Sequence, residues 1–437
     1  MKALKGEKMT KQIKIGLLGL GTVGGGVPNI LKAQAEKIKQ NAGIDIVVAK
    51  GLVRDESEKE LRKKQFDIEL TTSYDEIVGD PEIDIVIELI GKIEPAKTFI
   101  SRALAAGKHV VTANKDLLAQ HGPELIALAV ENNVDLYYEA SVAGGIPILR
   151  TMANSLADDG ITKVQGIVNG TTNYMLTKMV EEGQDYDAVL KKAQELGFAE
   201  SDPTNDVDGI DAAYKMVILT QFAYGMDINL SDVARRGIRH VSKDDVEMGQ
   251  KLGYVIKLIG ESALIDGSVS AEVAPMLVPE QHPLATIKNE MNAVFIESYG
   301  VGQSMYYGPG AGSLPTATSI LADVIQIAKN IANGTTGLKF NPYQTETKLA
   351  VDDQVKGKYY FAIETPDKKG QILKLAEIFT NNDASFDQVL QQKANGEKAR
   401  VVAISHTISN AQFKAIKLEI EAIEGFKLIN TLRVLGK

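Results

Sequence analysis

The 437-residue chain has no cysteine, and its five histidines (His109, His121, His240, His282 and His406) are scattered. Without thiols there are no disulfides, no thiolate metal ligands and no cysteine nucleophile. No two histidines fall at a metal-ligand spacing, so any metal would be held by oxygen. Apolar runs long enough to cross a bilayer are missing. Met1–Thr10 is a basic lead-in, expected to be disordered, without the apolar core of a secretory leader. The expected compartment is the cytoplasm. A basic excess is missing as well: the formal net charge is −9, which argues against nucleic acid or an anionic membrane as partner. What remains is an ordinary globular composition, 44% hydrophobic and 24% charged, at a length that asks for two or three domains.

The first periodic element is Gln12-Ile-Lys-Ile-Gly-Leu-Leu18, an apolar run suited to a buried parallel strand. It enters Gly19-Leu-Gly-Thr-Val-Gly24 and then a helix expected from about Gly25 to Gln40. This is G-x-G-x-x-G between a strand and a helix. Its glycines allow a tight turn, close approach of a pyrophosphate and helix–strand packing, with the phosphates on the helix start. The next strand, Ile44–Val53, ends at Arg54-Asp55. An arginine there suits a 2′-phosphate and favours NADP, while Asp55 still permits a ribose hydroxyl and NAD. Strands at Asp84–Ile90, His109–Lys115 and Val134–Glu139 continue a βαβ alternation, which predicts a doubly wound sheet. Lys115 lies just past a strand end, where ligands collect in such sheets, although a solvated lysine reads equally well. Glu139-Ala-Ser-Val-Ala-Gly-Gly-Ile-Pro147 offers a carboxylate and carbonyl oxygens to a cation. On chemistry alone a domain-connecting turn is the simpler reading.

The densest chemistry lies at Glu200–Lys215, where five carboxylates and one lysine sit between apolar segments. A helix starting near Asp208 places Asp211 and Lys215 on one face, with the lysine toward the positive end of the helix dipole. A solvated ion pair at a helix start is the bland alternative. Asn205-Asp-Val-Asp-Gly209 looks like part of a calcium loop, but aligning Gly209 with the invariant glycine puts Lys215 where a bidentate glutamate is required. Upstream, helices at Thr151–Asp158 and Tyr174–Glu182 flank a strand ending at Asn169-Gly-Thr-Thr-Asn173, a polar loop suited to hydrogen bonding or simply a turn. Downstream, Tyr254–Ile259, Ser268–Val278 and Ala293–Ser298 predict an antiparallel substrate-bearing sheet. Gly308-Pro-Gly-Ala-Gly312 then opens a helix whose amides could meet an anion or a cofactor edge. Residues 333–358 read as a linker, and 359–437 as a small βαββαβ domain.

In order and spacing, Gly19–Gly24, Thr112–Lys115, Glu139–Pro147, Asn169–Asn173, Glu200–Lys215 and Gly308–Gly312 resemble homoserine dehydrogenase, from residue 12 to the C-terminus. The resemblance implies a Rossmann-type doubly wound nucleotide-binding domain over 12–146, on which helix 312–331 packs back. It further implies an α+β substrate and dimerisation domain over 147–311, and a ferredoxin-like ACT domain over 359–437. The activity it implies is reversible NAD(P)H-dependent reduction of L-aspartate 4-semialdehyde to L-homoserine, in threonine, methionine and isoleucine biosynthesis. Matched residue by residue, Lys215 is the acid/base. Lys115 touches cofactor and substrate, Glu200, Asp211, Gly170 and Thr171 hold the substrate, and Asp206 supports Lys215. Gly19, Gly21, Thr22, Val23, Gly24, Arg54, Gly91, Lys115, Gly310 and Gly312 fall to the cofactor. The family's sodium site falls on the Glu139 side chain and the carbonyls of Val142, Gly144 and Ile146, reversing the simpler reading above. The resemblance also implies a threonine effector and a homodimer or homotetramer. Three departures stand out: Lys92 follows Gly91 where the family often has a second glycine, the segment before Gln12 matches nothing, and the charge-rich run after Arg54 leaves the choice between NADP and NAD open. Two other classes compete. Another ACT-containing biosynthetic dehydrogenase commonly needs a histidine-based set, and no histidine sits in these motifs. A non-catalytic amino-acid sensor predicts a damaged constellation, whereas Lys115, Glu200, Asp211 and Lys215 are all present.

Overall fold

The computed structural model describes residues 12–393 and 398–436, so the lead-in expected to be disordered lies outside the described residues. By contacts the chain divides into two units, Met1–Asp158 with Gly308–Gln344, and Asp159–Tyr307 with Thr345–Lys437.

In the first unit, β1 (Ile13–Leu18) is buried on both faces, as a central parallel strand must be. It is joined by β2 (Ile46–Leu52), β3 (Glu69–Thr71), β4 (Ile85–Glu88), β5 (His109–Thr112) and β6 (Leu136–Tyr137). The order is β3-β2-β1-β4-β5-β6 with every pair parallel, the doubly wound arrangement expected. Its ligand crevice lies beyond the carboxyl ends of β1 and β4, where the winding reverses. The helices between are α1 (Gly26–Ala33), α2 (Ala35–Ala42), α3 (Glu56–Lys63), α4 (Asp75–Val78), α5 (Ala96–Ala105), α6 (Lys115–Glu131) and α7 (Ile148–Arg150). Three expectations shift. The single helix over Gly25–Gln40 is two, broken at Gln34 (φ −122°, ψ 21°) without glycine or proline. α6 starts at Lys115 and runs through Pro123 instead of beginning there, because Asn114 Oδ1 accepts from Leu117 N at 3.2 Å and caps it early. In place of a helix over Thr151–Asp158, α7 passes into a wider π turn over Thr151–Ser155.

The second unit carries β7 (Ile161–Ile167), α8 (Gly170–Glu182), α9 (Tyr186–Glu195), α10 (Thr204–Val207), α11 (Ile210–Tyr224), β8 (Val233–Arg235), α12 (Lys243–Lys251), β9 (Tyr254–Ile265), β10 (Ser268–Pro279), β11 (Met291–Ser298) and β12 (Gly302–Pro309). The strands order as β12-β11-β7-β9-β10, with β8 beside β10. α11 is apolar on nearly every side, and it beds directly on β9. Met216 lies over Gly260, where a Cβ would come within 2.5 Å of its sulfur. Thr220 Oγ1 donates to Ser262 Oγ at 2.8 Å, and the Tyr224 hydroxyl donates to the Ser262 carbonyl at 2.8 Å. α13 (Ser313–Asn333) then returns to the first unit.

The C-terminal βαββαβ run is β13 (Lys356–Pro366), α14 (Gln371–Asn381), β14 (Phe386–Lys393), β15 (Lys398–Ser405), the short β16 (Ile408–Ser409), α15 (Asn410–Ala422) and β17 (Lys427–Val434). The order β17-β13-β15-β14 is antiparallel and ferredoxin-like. Its aromatic core stacks Tyr359 on Phe413 and sets Phe361 edge-on to Phe379. The layer does not stand apart as expected. β17 pairs in parallel with β10 at Met276↔Arg433 and Leu277↔Val434, so one sheet runs through both parts. Of the segment expected as a linker, the part in this unit before β13 is irregular yet tied down: Val269 N donates to Lys348 O at 2.7 Å, and Ala350 N to Val269 O at 2.9 Å.

Candidate functional site

At the carboxyl end of β1, Gly19 has a left-handed backbone (φ 91°), and a Cβ on Gly24 would lie 2.0 Å from the Gly19 carbonyl oxygen. Only glycine closes that turn. A Cβ on Gly21, by contrast, meets nothing within 4 Å: the backbone is bare toward open space, as close approach of a phosphate requires. A Cβ on Gly26 would lie 2.7 Å from the Ser313 carbonyl oxygen, so the starts of α1 and α13 lie side by side. Gly312 (φ 122°) leads into α13, and the Gly310 carbonyl is packed against Gly144. Two helix N-termini near a bare glycine turn suit an anionic group. Thr22 and Arg54 are exposed, and Val23 is half-buried. Arg54 Nε donates to Asp55 Oδ2 at 2.9 Å, while Asp55 Oδ1 accepts from Glu58 N and caps α3. Asp55 is thus committed to the helix cap, and the Arg54 guanidinium projects into solvent.

Beyond β4, the chain turns through Gly91 (φ 77°) and Lys92 (φ 61°). Lys92 is exposed, and its carbonyl accepts from Asn114 Nδ2 at 2.6 Å. Glu88, fully buried, shapes this turn by accepting from Ile90 N and Gly91 N with one oxygen and from the Thr112 hydroxyl with the other. Glu88 and Asn114 were not among the expected site residues; both act through loop backbone, which no motif advertises. Lys115 is the first residue of α6, with Nζ 3.7 Å from Asp116 Oδ1.

In the second unit, Gly209 (φ 74°) ends α10 and launches α11, close to the expected start at Asp208. Lys215 is the sixth residue of α11, in its second turn and two residues nearer the helix start than a start at Asp208 would put it, yet past the first turn, where the helix dipole has faded. Its environment is set by partners instead. Nζ donates to Asp211 Oδ2 at 2.7 Å and to the Val168 carbonyl at 2.6 Å, with the residue only 9% exposed. An ammonium has three N–H donors, so one remains. Asn169 Nδ2 donates to Asp206 Oδ1 at 2.7 Å and to Asp211 Oδ2 at 2.9 Å, joining both carboxylates. Burial pushes the Asp206 carboxyl up; the Asn169 hydrogen bond opposes this and the Asp211 charge adds to it. Gly170 opens α8, and a Cβ there would lie 2.7 Å from the Glu290 carbonyl oxygen; the Thr171 hydroxyl donates to the Phe198 carbonyl at 2.6 Å. Glu200 is not drawn into the cluster. It is exposed after α9, and its carbonyl accepts from Gln194 Nε2 at 3.0 Å.

Glu139 is 1% exposed, and its two oxygens accept from Leu149 N at 2.9 Å and Arg150 N at 2.7 Å at the start of α7. Burial pushes its carboxyl up to about 7, against those bonds and the Arg150 charge. Asp323 on α13 pairs with the same Arg150 and is pushed up to about 8 by burial. Left-handed Ala143 (φ 54°) and Gly144 (φ 49°) form the neighbouring turn, and the Gly144 carbonyl accepts from Ser319 Oγ at 2.7 Å. Among the described residues, no group of three or more His, Cys, Asp or Glu side chains is placed to hold a metal.

With this geometry in view, the comparisons are direct. Residues 19–139 match the family model for the homoserine dehydrogenase NAD-binding domain, and residues 147–325 the model for homoserine dehydrogenase itself. A homoserine dehydrogenase of Lactococcus lactis is 52% identical over 97% of this chain and 99% of its own length. One from Bacillus subtilis is 43% identical over 98% and 99%. The crystal structure of a homoserine dehydrogenase from Thiobacillus denitrificans superposes with a TM-score of 0.93 at 36% identity, covering 97% of this chain and 98% of that one. A hyperthermophilic archaeal homoserine dehydrogenase in complex with NADPH matches at a TM-score of 0.62 and 30% identity, over 72% of this chain and 97% of that one. The nucleotide crevice, the buried lysine–aspartate pair and these full-length relatives agree: the chain belongs to the homoserine dehydrogenase family of NAD(P)-dependent oxidoreductases.

Proposed function

We propose that the chain interconverts L-aspartate 4-semialdehyde and L-homoserine with Lys215 as the proton-transfer group. The observation that carries this is the Lys215 ammonium, held by two oxygens with one N–H left over. When bound, the nicotinamide supplies the hydride that reduces the aldehyde carbon. Lys215 donates its remaining proton to the carbonyl oxygen as charge develops there, and recovers a proton in the reverse direction. Asp211 fixes the nitrogen, and burial of the pair keeps competing water away. Gly170 and Thr171 at the start of α8 supply further polar contacts, with Glu200 closing on the substrate from its exposed loop. Lys115, opening α6 beside the crevice, serves both cofactor and substrate.

NADP is preferred over NAD in this reading, because Arg54 projects an unburied guanidinium while Asp55 is committed to its cap. The Glu139 turn takes sodium: its donors are all oxygens, each Glu139 oxygen uses one lone pair on a backbone N–H, and a second lone pair stays for a cation. The C-terminal layer is an ACT domain binding threonine as effector, and the chain works as a homodimer or homotetramer in the cytoplasm. A single assay tests the activity, cofactor and effector together: homoserine-dependent reduction of NADP+ against NAD+, with and without threonine. Turnover faster with NADP+ and slowed by threonine is expected. No turnover with either cofactor contradicts the proposal.

A further inference from the structure

The end of β7 meets the lysine–aspartate pair twice. The Val168 carbonyl accepts from Lys215 Nζ, and the next residue, Asn169, donates from Nδ2 to Asp211 Oδ2 at 2.9 Å. That oxygen also accepts from Lys215 at 2.7 Å, so donors reach it from two elements. The second Nδ2 hydrogen goes to Asp206 Oδ1 at 2.7 Å. The amide has one workable orientation. Its Oδ1 accepts from Thr172 N at 2.9 Å and from the Thr172 hydroxyl at 2.8 Å. A flip would set Oδ1 against two carboxylates and the NH2 group against a backbone N–H. Asn169 is 5% exposed, so water cannot readily take over these bonds.

We infer that Asn169 is a positioning residue for proton transfer: one carboxamide ties Asp206 to Asp211, fixes where Asp211 stands, and thereby aims the remaining N–H of Lys215. The inference rests on the proposed role of Lys215. Asn169 also caps α8 through Thr172 N, and the cap by itself would explain a buried asparagine. Substitution separates the two roles. Aspartate and serine both keep an acceptor for the cap, but neither presents two hydrogens to two carboxylates. Serine does so without adding charge.

The experiment compares Asn169→Asp, Asn169→Ser and Lys215→Ala in the full chain. It measures kcat and KM for homoserine oxidation, NADP+ affinity and melting temperature. Loss of oriented, charge-assisted hydrogen bonds should lower kcat by about 10- to 100-fold in both Asn169 variants. NADP+ affinity should stay near that of the unaltered protein in both, and melting temperature in Asn169→Ser, whereas the added buried carboxylate of Asn169→Asp should lower its melting temperature. A kcat unchanged in Asn169→Ser, or lowered only in step with lost folded protein, would overturn the inference and leave a helix cap. Turnover retained by Lys215→Ala would instead remove the reading beneath it, which keeps the two failures distinguishable.

Discussion

Asp206 and Asp211 face the same amide nitrogen, but only Asp211 is paired with a lysine. Asp206 is therefore the carboxyl that burial and its neighbour push upward. A group whose folded-state pKa is raised stabilises the fold below its unfolded value, and that stability is lost as pH rises through the folded value. Asp206→Asn, which carries no charge to desolvate, should raise the melting temperature relative to the unaltered protein at about pH 8. The gain should vanish near pH 4, around the unfolded aspartate value of about 3.9. Thermal unfolding across that range checks the sign; a gain that grows on acidification contradicts the assignment. The Asp211–Lys215 pair was legible because four residues on a helix is a fixed geometry. Asn169 was not, since its partners Asp206 and Asp211 arrive from elements 37 and 42 residues away and Asn-Gly reads first as a turn.

Among elements, the glycine turn after β1 separates two reasons for having no side chain. Gly24 is needed for chain closure, because its Cβ would strike the Gly19 carbonyl at 2.0 Å, whereas Gly21 borders open space. Gly24→Ala should therefore cost folding stability, by about 1–3 kcal/mol as an overpacking change. Gly21→Ala should leave the melting temperature nearly unchanged and weaken cofactor binding. Urea unfolding and cofactor titration distinguish them; equal effects on both properties would contradict this division. The doubly wound order was readable from apolar strands punctuated by helices, because burial on both faces leaves a continuous apolar run. β3 and β8 escaped, each having only three residues, too few to show a period. β12 escaped because exposed residues such as Met305 and Tyr307 blur its pattern and glycines mark its end. α6 began eight residues earlier than Pro123 because a side-chain cap at Asn114 outweighed the usual breaker signal.

For the molecule as a whole, the C-terminal layer contributes to the sheet that supports α11 within the second unit. β17 extends β10, and its Arg433 Nη2 reaches Glu261 Oε1 at 2.9 Å on β9, one residue beyond the Gly260 that receives Met216 of α11. Arg433 pairs with Glu272 as well, and Gln165 Nε2 donates to the other Glu261 oxygen at 2.6 Å. Burial alone would push the Glu261 carboxyl up, but Arg433, Gln165 and Lys163 together hold it below its ordinary value. Removing one partner of such a buried pair leaves a charge uncompensated, at about 3–5 kcal/mol. Arg433→Met should lower stability to chemical denaturation by about that much, and a loss below about 1 kcal/mol would contradict the coupling. This joint between two sheets was invisible in the sequence. β17 reads as an ordinary strand, and nothing local names a partner more than 150 residues upstream, as Met276↔Arg433 is. Lys215 carries the proposed chemistry, and its replacement by alanine tests that most directly. Lys215→Ala should lose about 10²- to 10⁴-fold in kcat for homoserine oxidation while binding NADP+ as tightly as the unaltered protein. Turnover close to that of the unaltered protein would show that the proton is handled elsewhere.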